Sequence, residues 1–334
     1  MLTERAATVL NVLVGEYLQT ATPVALDEIA RILYQKLSSA SVRNTMARLT
    51  EGGYISRPHV SSGGVPSDLG YRFYVESLPE PPQLSTKMRG SVDRDLAQTE
   101  PDIGACSKRC AAILSSLTEN LAIVTAPRAQ FPRHKRIQLV FLQESAALLV
   151  LVLEEARLLR KLIPFGKNIN QLQLDQAARR LNRPQVQSNS LELNQLEEQV
   201  KEGSVSLMRE AETTIEEHYT DGLRRLLRQP EFSQCELACQ LVQLVNEREL
   251  LEQVLNASGE TAEPAVFIGA DNQEFFLNPF GVILCNYGIP QGVSGTNCVI
   301  GPKRMEYVAA VGGVRHLSAF MSQMVMGIQG NVAK

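Results

Sequence analysis

Ser41, Arg43, Asn44 and Arg48 lie in one short stretch, Ser39-Ala-Ser-Val-Arg-Asn-Thr-Met-Ala-Arg-Leu49. An Asn amide matches the two-atom edge that adenine shows in the major groove. An Arg guanidinium matches guanine or clamps a phosphate. Ser39 and Ser41 are small enough to let a partner come close. Downstream, Arg57, His59, Ser61 and Ser62 lead into Gly63-Gly64. A lone Arg in such a stretch would be read as a solvated surface residue. The set together has the chemistry of double-stranded DNA contact.

Other reactive side chains are sparse. Six cysteines include two pairs at i, i+4 spacing, Cys106 with Cys110 and Cys235 with Cys239. Cys106 and Cys110 share a helical face with Ile103, Ile113 and Leu117, and Cys235 and Cys239 share one with Ala238, Val242 and Val245. Buried cysteine acts as a small apolar residue, so both pairs read as core rather than as a metal or redox site. The four histidines, at positions 59, 134, 218 and 316, are dispersed and supply no general base or His-rich metal site. No Gly-x-Ser-x-Gly, His-Glu-x-x-His or kinase-type pattern occurs. The glycine-rich stretch Gly288 to Gly301 lacks Gly-Lys-Ser/Thr and Gly-x-Gly-x-x-Gly, so it reads as a loop between strands. The expectation is a protein that is not an enzyme and has no cofactor or metal.

The reading residues need a frame. Ala6, Val9, Leu10, Leu13, Val14 and Tyr17 repeat at helical spacing, with Thr3 as cap. Thr22-Pro23 breaks the chain, and a second short helix turns Leu26, Ile29, Ala30 and Leu33 inward. A third, with Ser39 as its N-cap, buries Val42, Met46 and Leu49 and ends at Gly52-Gly53. Tyr54 to Arg57, a turn at Ser61 to Gly64, and Val65-Pro66 form a β-hairpin. Three helices closed by a hairpin predict a winged helix-turn-helix, whose second motif helix enters the major groove N-terminal end first.

The segment Ser39 to Val75 (SSASVRNTMARLTEGGYISRPHVSSGGVPSDLGYRFYV) closely resembles the N-terminal domain of the heat-inducible transcription repressors, the HrcA family. Gly295-Thr-Asn-Cys-Val-Ile-Gly-Pro-Lys-Arg-Met-Glu-Tyr307 resembles the family's second signature, and Asp221-Gly222-Leu223 and Gln229-Pro230-Glu231-Phe232 between them resemble family motifs too. The resemblance covers nearly the whole chain. It implies a homodimer that represses chaperone operons at an inverted-repeat operator, and a GroEL-type chaperonin as a further partner. Three positions depart from the family pattern by losing basic character: Asp27, Gly64 and Leu69. Each cation removed from a phosphate lowers affinity and flattens its salt dependence.

Beyond Pro79-Glu-Pro-Pro82, a stiff linker, residues 83 to 98 read as helix, Asp102 to Leu117 as another, and Leu121 to Thr125 as a strand. Arg136 to Leu142, Ala147 to Leu153 and Ala156 to Ile163 form an antiparallel meander, with the basic run Arg133 to Arg136 as its solvated start. Residues 170 to 218 read as helices whose apolar stripe (Leu193, Leu196, Val200, Leu207, Ala211, Ile215) is weakened at Gly203. Such apolar strands need cover on both faces; a twofold partner or an intrachain core could give it. Phe232 to Asn256 is then helix. Strands follow at Ala265 to Ile268, Phe275 to Leu277, Gly281 to Tyr287 and Asn297 to Ile300. A last helix has Tyr307, Val311, Val314, Leu317, Met321, Met324 and Ile328 on one face.

The expected fold class is α+β multidomain. A winged helix-turn-helix occupies 1–78, with a linker and connecting helix at 79–100. A GAF-like domain at 101–130 and 217–334 is interrupted by an inserted α+β dimerisation domain at 131–216. The interruption and the dimerisation role are what the resemblance implies.

Charge tests the DNA reading. The chain has 334 residues and a net charge of −3, which as an average argues mildly against nucleic acid. Within 31–57, however, Arg31, Lys36, Arg43, Arg48 and Arg57 face Glu51 alone. The longest apolar run is far short of the ~20 residues that span a membrane, and the first residues lack a signal-peptide pattern, so a cytoplasmic location is expected with no membrane partner. Two other readings remain: a metabolite-responsive regulator using the GAF-like domain, and a non-DNA interaction protein with a drifted winged helix.

Overall fold

The computed structural model describes residues 2–34, 36–57, 63–78, 82–99, 102–129, 134–153, 158–166, 168–182, 191–213, 217–233, 235–246, 254–255, 263–272, 277–289 and 292–332. The chain forms two compact units. The first comprises Met1–Thr125, His218–Tyr287 and Thr296–Met321; the second comprises Ala126–Glu217, Gly288–Gly295 and Ser322–Lys334.

The first unit begins with helices α1 (Glu4–Thr20), α2 (Leu26–Ile32) and α3 (Ser39–Glu51). Strands β1 (Ile55–Ser56) and β2 (Val65–Pro66) pair antiparallel, and α4 (Asp68–Glu76) follows. The α1 stripe Ala6, Val9, Leu10, Leu13 and Val14 is buried, and so are Ile29, Leu33, Val42, Met46, Leu49 and Ile55. Thr3 caps α1 through the Ala6 N–H. The cap of α3 is Ser38, whose hydroxyl accepts from the Ser41 N–H; the expected cap, Ser39, is instead the first helical residue. Both hydroxyls suit a cap, and neighbouring serines do not tell which residue keeps extended backbone.

Two further helices, α5 (Thr86–Ala97) and α6 (Ile103–Thr118), precede a sheet. Its order is β8 (His218–Asp221), β3 (Leu121–Thr125), β11 (Val293–Pro302), β10 (Phe280–Gly288), β9 (Ala265–Ile268). Every residue of β3 is buried, as are most of β10 and β11. The glycine-rich stretch is mostly strand, because β11 already starts at Val293. The turn before it is short: Ile289 N–H bonds to the Val293 carbonyl at 2.9 Å, and Gly288 takes φ +109°.

The expected helix from Phe232 is a 3₁₀ turn (Pro230–Ser233) followed by α10 (Cys235–Asn246), after the short α9 (Leu223–Leu226). In α10 the buried residues are Leu241 and Leu244, while Cys239 and Val242 are exposed. The expected cysteine-bearing core face of this helix is therefore wrong: the leucines, the larger apolar residues, turn inward. Cys106 and Cys110 of α6 are buried. The last helix, α11 (Tyr307–Val332), buries Tyr307, Val311, Val314, Leu317 and Met321.

The second unit holds the antiparallel meander β5 (His134–Gln143), β6 (Ala146–Leu153), β7 (Leu158–Pro164), with helices α7 (Gln171–Leu181) and α8 (Leu191–Thr213). A short strand β4 (Arg128–Ala129) pairs with Val293 and Ser294. One core joins Ile137, Leu139, Leu149, Leu151, Leu159 and Ile163 of the sheet to Leu174, Ala177, Leu196, Val200 and Leu207 of the helices. Gly203 does not weaken this packing: a Cβ there would lie 2.9 Å from Ile163 Cδ1. The missing side chain lets α8 approach the sheet.

Candidate nucleic-acid interface

The face of α3 opposite Val42, Met46 and Leu49 is solvent-exposed: Ser39, Ala40, Arg43, Asn44, Ala47 and Arg48 all lie on it, with Ser41 half-buried at its margin. The helix has no acidic residue in its first turn, so its N-terminal N–H groups and positive dipole end carry no internal counter-charge, the arrangement that favours an anion. Ala40 and Ala47 leave room for a flat partner beside Arg43, Asn44 and Arg48. The helix is locked from beneath. Met46 is 1% exposed, and Thr45 Oγ1 donates to the Ser41 carbonyl at 2.8 Å.

Arg57 follows β1 and is half-buried; its Nε is buried and has no hydrogen-bond partner among the described residues. The remaining predicted contacts, His59, Ser61 and Ser62, lie outside the described residues. One cation was not read from the sequence. Arg5, at the start of α1, places Nη1 3.5 Å from Ser41 Oγ, at the outer limit of a hydrogen bond. Only the packing of α1 beside α3 brings it there; no spacing rule connects positions 5 and 41.

The charge patch changes in membership. Arg31 forks onto Glu28, with contacts of 2.5 and 3.2 Å. The pairing hydrogen bonds lower the Glu28 pKa and raise that of Arg31. Arg31 thus has an exposed local partner within α2, and Arg5 adds a cation beside Ser41 of α3. Of the three departures, Asp27 and Leu69 are exposed. Gly64 is bonded to Val24 through both N–H and C=O at 2.9 Å, and its Cβ direction points at Leu13, Met46 and Ile55. A basic side chain at position 64 would leave the backbone on the core side, so this departure alters packing as well as charge.

Among the described residues, nothing at this surface resembles a catalytic centre. Burial pushes the Cys110 thiol up to about 12, with Cys106 adding to the rise; burial also raises Cys285 and Cys298. None of the three is activated as a nucleophile. Among the described residues no group of three His, Cys, Asp or Glu side chains could hold a metal ion, and no helix is long and apolar enough to cross a membrane.

A solved structure of a hypothetical protein shares this fold, with a TM-score of 0.64 over 98% of this chain and 99% of that one at 21% identity. The class is that of transcription repressors rather than enzymes, because residues 106–311 match the family model described as the HrcA protein C terminal domain. The chain is 35% identical to the heat-inducible transcription repressor HrcA of Dehalococcoides mccartyi strain 195, covering 99% of this chain and 98% of that protein. It is 32% identical to that of Herpetosiphon aurantiacus, covering 98% and 97%. The chain belongs to the HrcA family of heat-inducible transcription repressors.

Proposed function

We propose that this chain is a homodimeric repressor that reads an inverted-repeat operator through a winged helix-turn-helix in residues 1–78 and leaves it on heat stress. The observation that carries this is α3: Arg43, Asn44 and Arg48 stand on a solvated face with Ala40 and Ala47, while Val42, Met46 and Leu49 fix the helix from below. Ser39, Ser41 and Arg57 flank that face, and Arg5 extends it. His59, Ser61 and Ser62 complete the proposed contact set on the wing. The β3–β11 sheet with α6 and α11 serves as the GAF-like body. Relatives named as heat-inducible repressors support chaperone operons as the target, and family membership points to a GroEL-type chaperonin as further partner.

Dimerisation is assigned to the β5–β6–β7 sheet. Its inner face is buried under α7 and α8, but its outer face is not. Val140, Leu148 and Leu162 form one cross-strand row on that face, and Val152 pairs with Leu158 on another. Val140 is 44%, Leu158 64% and Leu162 56% exposed. Between them lies the row Gln138, Val150 and Arg160, and Arg136 pairs with Val152, so the face is apolar rows interleaved with polar residues, a mixture that suits a dimer interface. Edge pairing is blocked on the β5 side. Asn182 bonds to both N–H and C=O of Ile137 at 2.8 Å, and Gln171 bonds to the Leu139 carbonyl and the Phe141 N–H. A second copy therefore meets the face of the sheet, not that edge.

The test is a gel-shift salt series using DNA upstream of the chaperone genes of the source genome, against random duplex. Arg43→Ala with Asn44→Ala should remove sequence preference and leave a weak, salt-sensitive shift. Arg48→Ala should weaken all sequences alike and reduce the salt slope by about 1 per module. Wild-type protein showing no preference over random DNA would overturn the reading.

A further inference from the structure

The α3-bearing module is tied to the body of its own unit by charges that the sequence scatters widely. Asp68, the first residue of α4, receives Lys303 Nζ at 2.5 Å and the Ala270 N–H at 3.2 Å. One turn later Arg72 donates to the Val266 carbonyl at 3.0 Å and pairs with Asp271. At the end of α1, Arg304 Nη1 donates to the Leu18 carbonyl at 2.8 Å, while its Nε and Nη2 hold Glu231 at 2.5 and 3.3 Å. The buried rings of Tyr71 and Tyr307 meet between these contacts, 6.4 Å apart. Gly269 (φ +59°) leaves no room for a Cβ beside the Asp68 carboxylate. Two of the signature motifs thus have a shared use: Glu231 of Gln229-Pro-Glu-Phe232 aims the Arg304 of Gly301-Pro-Lys-Arg304 at α1.

Partly buried ion pairs add little to fold stability, because desolvation offsets much of the attraction. What a forked guanidinium does supply is direction, since its donors sit in a rigid plane. A dimer needs direction: two recognition helices must meet half-sites whole turns apart, about 34–36 Å per turn. We propose that Lys303 and Arg304 are positioning residues that hold the α3-bearing module in one orientation on the body, and so set the half-site spacing a dimer accepts. This rests on the DNA-reading function proposed above.

The test uses full-length protein and three duplexes: the upstream inverted repeat, the same repeat with half a helical turn (about 5 bp) added between half-sites, and a single half-site. Wild type should bind the intact repeat about 100-fold or more tighter than the respaced one, since avidity vanishes when geometry forbids joint engagement. Lys303→Gln and Arg304→Gln should shrink that ratio to about threefold or less, leaving half-site affinity and the sedimenting dimer unchanged. Arg304→Lys, which keeps charge but not the fork, should also lose discrimination. Asp271→Asn, on the Arg72 side of the seam, is a second variant in case either of the first fails to fold. A wild-type ratio retained in every folded variant would overturn the proposal, as would a parallel drop in half-site binding, which marks a merely structural role. Wild type that does not prefer the half-site to random DNA would instead overturn the DNA reading itself.

Discussion

Leu162→Asp separates the two faces of the β5–β6–β7 sheet. Leu162 is 56% exposed on the outer face, paired with Leu148 in the row that ends at Val140. Because most of the side chain already meets water, the folded subunit should change by no more than ~0.5 kcal/mol. In a twofold interface the same residue counts twice. Full burial of a leucine is worth about 1.5–3 kcal/mol, so covering the exposed half gives about 1 kcal/mol per copy and about 2 for the pair. That alone is about 30-fold in the dimer constant. Two carboxylates forced out of water against apolar neighbours add at least about another tenfold. Sedimentation velocity over a concentration series measures the constant, and a thermal melt checks the fold. Operator binding should fall with the dimer and recover at high protein concentration. Leu149→Ala is the contrast: Leu149 is fully buried on the inner face, and truncating it should cost about 2–5 kcal/mol of unit stability. If Leu162→Asp leaves the dimer constant unaltered, the outer face is not the interface and the reasoning fails.

Gly203→Val should lower the melting point of the second unit by forcing α8 off Ile163, at a cost of about 1–3 kcal/mol; an unchanged melt would show that the helix yields freely. Asn182→Leu leaves both backbone groups of Ile137 without their side-chain partner. It should cost about 1–3 kcal/mol and promote concentration-dependent association through the bared edge, visible by light scattering. With alkylating reagent at pH 8, Cys239 should react first among the described cysteines. Cys110, pushed up to about 12, holds roughly one part in 10⁴ as thiolate and should react only on unfolding; early labelling of Cys110 would contradict its burial.

Periodicity made the helices and the meander legible, because a stripe of Val9, Leu10, Leu13 and Val14, or a run such as Ala146 to Leu153, states its own buried face. It failed where two stripes competed. In α10 the i, i+4 cysteines and valines made a plausible face, and the leucines at 241 and 244 took the core instead. It failed also where glycine had two uses: Gly203 looked like a defect and is a close approach, and the Gly288 to Gly301 stretch looked like a loop and is largely β11. The exposed residues of α3 could be named from spacing alone, since 3.6-residue geometry assigns Arg43, Asn44 and Arg48 to the face opposite Val42 and Met46. Their company could not. Arg5 joins them only through helix packing, and Arg31 finds a local partner in Glu28.

That pairing bears on how the protein binds. Beyond the local count, Arg72, Lys303 and Arg304 are paired within the fold, and Arg31 makes an exposed local pair with Glu28. The cations left around α3 are few, and the net charge of −3 supplies no general attraction to a polyanion. A reader with so little surplus charge has a shallow non-specific floor, because sequence-independent affinity scales with the number of phosphates neutralised. On the DNA reading proposed above, its discrimination would come from base contacts by Arg43 and Asn44 and from joint engagement of two half-sites. The second source multiplies affinity only while the two modules keep their spacing. Breaking the dimer, or the Arg304 seam, should therefore cost the joint engagement and leave only half-site binding, with little non-specific binding to hold the protein on DNA.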